Sequence, residues 1–392
     1  VTKAYPDELT VKLSIGTKYD SLLFEKGSYL TYEDGSSDKW GFGLDARKLP
    51  DGYQDTAFWS PTKLNPSTVQ ISEFMSGMDP IFVPHYEDAE LGRSIGIEFG
   101  NLIDKKDYSL GVIFSLDFEN SFSTQKTYQQ RHNYLLNAND WNINPESSFE
   151  IQEGTRSAEI GSYFQTSLIP NENHEIGLIL LWSHTGDKIA KYNQNLWKEG
   201  ISGETAPWGE NTEDVFVEGF ELAWEERDML LPQLYGKHAL NLIPDWQIDW
   251  RISQTTVSLD EPERRSIQRA WEINKTPSQQ YRGPSRARSG TQFFDRIPPK
   301  HVWRSMEDKS LFHRIDLKSP RWEIENGFLT LEFGISGDEM DREFDQTELV
   351  LQPQLSNVNA WSSSVDKSFY AASQAYPEDF TSPGPETFPS SG

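Results

Sequence analysis

The sequence predicts an all-β protein: an antiparallel transmembrane β-barrel, incomplete or open, of about nine long strands with long extracellular loops. Three observations carry this. Arms near the ~9–11 residues of a tilted membrane-crossing strand recur in pairs, apolar on one side and small or polar on the other. The connections between arms alternate along the chain: one class is short and marked by Pro or charge, the other much longer, polar and aromatic. A barrel with short turns at one rim and long loops at the other has this asymmetry, whereas a soluble sandwich spreads its loop lengths over both ends. Finally, the 392 residues are 13% aromatic in a hydrophilic chain of net charge −25, a mixture that favours a polar interior with an aromatic outer band and that a carbohydrate-binding soluble β-protein would share.

Taken in order, Leu9, Val11, Leu13 and Ile15 alternate with Thr10, Lys12 and Ser14 as a first strand. A long insertion, roughly 19–92, follows, punctuated by Gly and Pro. Ile95, Ile97 and Phe99 then alternate with Ser94, Gly96, Glu98 and Gly100 up to the turn Asp104-Lys105-Lys106-Asp107. The return arm sets Tyr108, Leu110, Val112, Phe114, Leu116 and Phe118 against Gly111, Ser115, Asp117 and Glu119. A polar excursion over 120–154 leads to a second pair: Ala158, Ile160, Phe164 and Leu168 descend to Ile169-Pro170, and Ile176, Leu178, Leu180 and Trp182 return. A third excursion, 185–214, precedes an arm ending in Leu234, Gly236, His238, Leu240 and Leu242. After Ile243-Pro244-Asp245 comes the cleanest alternation, Trp246, Ile248, Trp250 and Ile252 against Gln247, Asp249, Arg251 and Ser253. A fourth excursion reaches about Lys309. Leu311, His313, Ile315 and Leu317 then descend to Ser319-Pro320, and Leu329, Leu331, Phe333 and Ile335 rise. Beyond Glu343 the period fades into a Ser-, Pro- and Gly-rich end.

The nine residues expected to face lipid are Ile95, Ile97, Phe99, Leu110, Val112, Phe114, Trp246, Ile248 and Trp250. Trp182, Trp224, Trp246 and Trp250 fall near strand ends, where aromatic residues anchor at a membrane interface and, secondarily, stack on sugars. An odd strand count leaves the first and last strands parallel, so the sheet is expected to stay open with unpaired edges.

Several function classes fall away. With 61 acidic against 36 basic residues, a phosphate backbone would be repelled, and nucleic acid is excluded as a partner. The absence of cysteine removes disulfides, thiolate metal sites and cysteine nucleophiles. No apolar run approaches the ~18–20 residues of a membrane helix. His85, His132, His174, His184, His238, His301 and His313 show no metal-ligand spacing, and no Walker, Gly-x-Ser-x-Gly or Gly-x-Gly-x-x-Gly pattern occurs. No catalytic, cofactor or metal residue is therefore assigned. Asp249 with Arg251, or Glu225-Glu226, can be drawn as glycosidase acid/base pairs, but a lumen-facing polar ladder accounts for them as well. The basic stretch Arg282, Arg286 and Arg288 fits a solvated loop, an anionic ligand or lipopolysaccharide phosphates.

The opening Val1-Thr2-Lys3-Ala4-Tyr5-Pro6-Asp7-Glu8-Leu9 resembles the close of the plug domain in TonB-dependent outer-membrane receptors, where a segment of this kind hands over to the first barrel strand. Tyr32-Glu33-Asp34-Gly35, through Asp38-Lys39-Trp40-Gly41-Phe42-Gly43, to Arg47-Lys48-Leu49-Pro50 is similar to a segment after the first strand in one subgroup; Gly43-Leu44-Asp45-Ala46 departs from it. The resemblance divides the chain into a plug-junction remnant (1–8), a partial barrel (9–345) and a loop-like tail (346–392). It implies a bacterial outer-membrane location, lipid as one partner, a metal chelate, vitamin or oligosaccharide as ligand, and TonB reached through an N-terminal part not in this chain. Family barrels have about twenty-two strands. The chain, opening on Val1 with neither Met nor an apolar leader, is thus expected to be a processed or truncated piece. The reading from a different class is a secreted or periplasmic β-rich protein that binds or cleaves glycans.

Overall fold

The structure is a computed structural model, and it describes residues 5–19, 23, 26–33, 35–50, 77–134, 143–197, 215–240, 245–272, 281–282, 300–325 and 327–350. The strands are β1 (Thr10–Lys18), β2 (Tyr29–Thr31), β3 (His85–Glu87), β4 (Gly92–Asp104), β5 (Ser109–Tyr134), β6 (Ile143–Asn171), β7 (His174–Trp197), β8 (Val215–Leu240), β9 (Trp246–Glu272), β10 (Tyr281–Arg282), β11 (Lys300–Lys318), β12 (Trp322–Ile324), β13 (Gly327–Leu329) and β14 (Glu332–Val350). Nine of them form one antiparallel sheet in the order β1-β4-β5-β6-β7-β8-β9-β11-β14, with the short β10 added beside β9. Every neighbour on that path is the next long strand in the chain. The protein is all-β, and its main sheet is open: β1 and β14 are edges and do not pair with each other.

The strands run well past the limits that alternation marks. Much of the stretch 120–154 is strand, since β5 continues to Tyr134 and β6 begins at Ile143; β7 likewise runs to Trp197 and β9 to Glu272. β14 carries regular pairing to Val350, so Glu343 to Val350 is strand rather than loop; residues 351–392 lie outside those described. The first strand is Thr10–Lys18, and the arm expected at 329–335 is split between the β12–β13 hairpin and β14. The short and long connections do alternate. Tight links join Asp104 to Ser109 and Asn171 to His174, and long ones separate β1 from β4 and β9 from β11.

Directly paired residues of antiparallel strands project to the same side, so the register sorts the sheet into two faces. The row Ile97, Leu116, Ser162, Trp182, Leu230, Thr256 runs across six strands on one side. Following this register, Ile95, Ile97, Phe99, Leu110, Val112, Phe114, Trp246, Ile248 and Trp250 all share that face, called apolar below. Gly96, Glu98, Gly111, Ser115, Asp117, Asp249 and Arg251 share the other, polar face.

The apolar stripe does not lie square to the strands. On β5 it spans Leu110 to Phe118; the row of Phe118 passes through Ile160, His184 and Asp228 to Ser258 on β9. On β9 the stripe starts only at Ile252, six residues lower, and reaches down to Trp246. Its lower end slides too: the row of Leu110 meets β9 at Trp250, four residues above Trp246. Four to six residues at ~3.3 Å against four strand spacings of ~4.8 Å is a slope of roughly 35–45°.

Above the Phe118 row, the same face is covered over much of its width, leaving the far end of β5 at Lys126 and Tyr128 exposed. The β2–β3 hairpin, two 3-10 turns (Asp38–Trp40 and Leu44–Arg47) and residues 77–90 lie over β5 to β9 and β11. Leu30, Tyr32, Met78 and Phe82 from the insertion pack with Ala190, Tyr192, Phe220, Leu222, Ile267, Trp303 and Leu349 from the sheet. This buried cluster lies between the sheet and its own insertion, not between two sheets.

Candidate functional site

The junction between insertion and sheet holds the densest chemistry among the described residues. Much of it comes from the stretch 32–50. Arg47 forms a two-pronged, buried ion pair with Asp38, at 2.9 Å to Oδ1 and 2.7 Å to Oδ2. Its guanidinium also lies 4.7 Å from the Trp224 ring. Trp224 is 1% exposed, so here an expected interface anchor is instead a floor for the insertion. Burial works to raise the Asp38 carboxyl, but the Arg47 guanidinium overrides it and holds Asp38 below the ordinary carboxylate value.

Glu226 terminates the insertion's backbone. Its Oε1 accepts from the Leu44 N–H at 2.8 Å, the Trp224 Nε1–H at 2.8 Å and the Gly43 N–H. Glu225, its neighbour, points to the polar face, where Oε2 pairs with Arg227 at 2.5 Å. Period two puts these glutamates on opposite sides, so they cannot act as one acid/base pair. The Tyr32 hydroxyl donates to the Ala223 carbonyl at 2.8 Å, Lys188 Nζ donates to the Tyr32 carbonyl, and burial pushes the phenol up to about 12.

Glycines let the insertion seat. A Cβ at Gly154 would strike the Leu30 carbonyl, and one at Gly186 would strike the backbone of Gly41. Gly41 itself has φ 87°, a left-handed conformation that favours glycine. Beside them, His184 is held between the Gly41 carbonyl, 2.7 Å from Nε2, and Asp228, 2.9 Å from Nδ1, with Phe42 stacked on its ring at 4.1 Å.

A bulge aims a second cluster at residues 79–82. Asp260 pairs with Glu226 and Arg265 with Leu222, so β9 has one residue more than β8 between these points; Glu263, inside the bulge, has φ 53°. Glu263 Oε1 accepts from the Asp79 N–H at 2.9 Å, and Arg265 reaches Asp79 at 2.5 Å and the Ile81 carbonyl at 2.8 Å. His301, fully buried, stands 3.2 Å from Glu263 and stacks on Trp303 at 5.8 Å. Burial lowers its pKa, against the pull of Glu263. Alternation did not reveal this cluster; the signal was Pro262, which inside a strand marks a bulge.

The polar face is a lattice of ion pairs. Glu153, Lys191, Glu221, Arg264, Glu261 and Arg304 link β6, β7, β8, β9 and β11, with N···O distances from 2.6 to 3.6 Å. Asp249 pairs with Lys318 at 3.4 Å, and Arg251 lies over Phe312 at 5.7 Å, so the second proposed carboxylate site is part of this ladder. The Tyr5 ring fills the space above Gly111 and the Pro6 ring that above Gly100, placing the end of the expected plug junction on the polar face; residues 1–4 lie outside those described.

Of the nine residues expected to meet lipid, Ile95 and Ile97 are exposed, and the other seven are half-buried by neighbours on their own face. Trp246 contacts Trp322, and the Trp250 Nε1–H donates to His238 at 3.0 Å. Across β7 and β8, His238 meets His174, Nδ1 to Nδ1, at 3.1 Å, a juxtaposition that sequence spacing hides. No group of three or more His, Asp or Glu suited to a metal occurs among the described residues. The basic stretch Arg282 to Arg288 lies outside the residues whose side chains are described. No family model, curated protein or solved structure matches the chain.

Proposed function

We propose that this chain is part of a TonB-dependent outer-membrane receptor for energy-coupled uptake of a scarce nutrient such as a metal chelate, vitamin or oligosaccharide. The observation that carries the membrane part is the oblique apolar stripe. Strands of a membrane barrel tilt by 35–45°, so a band level with the bilayer must cross successive strands at that slope, and the stripe from β5 to β9 does. Leu110 to Phe118 is nine residues, within the ~9–11 that a tilted strand uses to cross a bilayer. The ion-pair ladder on the opposite face suits a water-filled interior, and the reading assigns the chain no catalytic role and no cofactor. The receptor part rests on the resemblance of 1–9 and 32–50 and on Tyr5 and Pro6 lying on the lumen side, where a plug would connect.

Fractionation tests the first part. Exported in a Gram-negative host, the chain should be recovered with the outer membrane and resist alkaline extraction; recovery as a soluble periplasmic protein that binds glycans would establish the other class. Uptake tests the second. Disrupting the gene that contains this chain should abolish accumulation of one nutrient, and removing TonB should give the same loss; uptake that persists without TonB rules the receptor out.

A further inference from the structure

The insertion meets the sheet along the upper border of the apolar stripe, and two of its side chains overhang that border. Trp40 packs on Phe118, the last apolar residue of the stripe on β5, with ring centroids 5.3 Å apart. Phe42 stacks on His184, which itself stacks on Trp182, the uppermost apolar residue of the stripe on β7. Around them the segment is locked down, since Asp38 is 1% and Arg47 7% exposed, yet Trp40 is 52% and Phe42 43% exposed. Lys39 extends over Trp40 with its ammonium 5.7 Å from the ring. A rigid turn that buries its charges and presents Trp, Phe and Lys at the rim of an apolar band has the chemistry of the headgroup–acyl boundary: amphipathic rings settle there, and a lysine can keep its charge in the headgroups.

We infer that the Asp38–Phe42 turn is a membrane-interface anchor, with the outer lipid layer as its partner. The insertion thus supplies part of the aromatic girdle that strands ordinarily provide, and fixes how far the sheet sinks into the bilayer. This rests on the membrane reading above. It goes beyond it by placing the insertion against the outer wall, since the register puts Phe118 and His184 on the stripe's own face rather than over the polar lumen. A lipid surface is favoured over a protein partner because the two exposed rings are continuous with the stripe through Phe118 and Trp182.

The chain has no cysteine, so a single introduced thiol gives one labelled position. Lys39→Cys, Val112→Cys and Tyr128→Cys, each carrying a small fluorophore, are compared in the full chain inserted in vesicles with lipids brominated either near the carbonyls or near the chain ends. Tyr128 lies on the same face about 33 Å beyond Phe118 at ~3.3 Å per residue, and serves as the aqueous reference. The inference expects the Lys39 label to lose most of its emission with shallow bromines and little with deep ones, Val112 to respond most to deep bromines, and Tyr128 to neither. If Val112 is quenched while Lys39 behaves like Tyr128, the anchor is wrong and the membrane reading stands. Deep quenching at Lys39 also overturns the anchor, because the turn would then be immersed. No quenching at Val112 removes the membrane reading and the anchor with it.

Discussion

One face of one sheet has two halves that differ in what covers them. Below the Phe118 row on β4 to β7, and on β8 to β14 below an upper border that drops away from it past Thr256 and Lys309, it carries mainly Ile, Leu, Val, Phe and Trp with little protein against them: Ile95 is 50% exposed and Ile335 71%. Above that row, the same faces of β6 to β9 carry Gly154, Gly186, Lys188, Glu226 and Arg265, all buried beneath the insertion. The difference teaches that the chemistry of a strand face reports its partner. On the proposed membrane reading the bare half meets hydrocarbon, which accepts no hydrogen bond and so favours apolar side chains there. An insertion brings backbone N–H and C=O groups that must be satisfied, so the face beneath it carries carboxylates, cations and glycine gaps.

The largest expected effect is on the covered half. Arg47→Ala leaves the Asp38 carboxylate buried without its partner, a loss of about 3–5 kcal/mol in comparable buried pairs. Amide exchange over 29–48 should accelerate strongly while that of Leu110 to Phe118 is unchanged; parallel acceleration of both would mean that the halves are one cooperative unit. The bare half is broken next. Val112→Arg should weaken bilayer assembly by roughly 2–4 kcal/mol, whereas Ser115→Arg, on the polar face, should be far milder. Equal effects of the two in a lipid-refolding assay would show the faces to be reversed.

Gly186→Ala sharpens the comparison further. The new Cβ would strike the Gly41 backbone, and overpacking of this kind costs about 1–3 kcal/mol. Gly161→Ala, where a Cβ meets nothing within 4 Å, should leave thermal unfolding unchanged and serves as the control.

Acid should also separate the halves. Between the ordinary histidine value of 6.5 and the lower folded value, His301 binds a proton more readily in the unfolded chain, so its contribution is complete above 6.5 and falls with pH through that window. Asp38, lowered by Arg47, adds a second loss at more acidic pH, as its carboxyl is protonated. Half-buried Asp260 and buried Glu261, raised by desolvation, act in the opposite sense and offset part of this. Protection of 78–87, taken relative to the intrinsic exchange rate at each pH, should therefore fall from about pH 6.5 downward, and His301→Gln should flatten the first part of that profile. A profile flat to pH 5 in the parent protein would remove His301 from the account.

The smallest effect concerns the edges. β1, an edge strand, has no strand paired on its outer side among the described residues, so its amides should exchange faster than those of β6 and β7. Protection of Thr10–Lys18 equal to that of β7 would show that the edge is covered.

Alternation by itself determined the all-β class, the long antiparallel arms, the turns at Asp104–Ser109 and Asn171–His174, and the common face of the nine apolar residues from Ile95 to Trp250. It did so because a period of two is local: each residue declares its side by what it must avoid or meet. Where the strands continue beneath the insertion, Gly, Lys and Glu replace Ile and Leu on the inward side, so the local code dissolves and strand reads as loop. Only the tertiary structure decided that 120–134 and 143–154 are strand, that Asp38 and Arg47 close over Trp224, that a bulge at Glu263 turns Arg265 toward Asp79, and that the stripe runs oblique to the strands. Each of these depends on register between segments far apart in the chain, and register is set by what comes to lie opposite, which one strand's own residues do not specify.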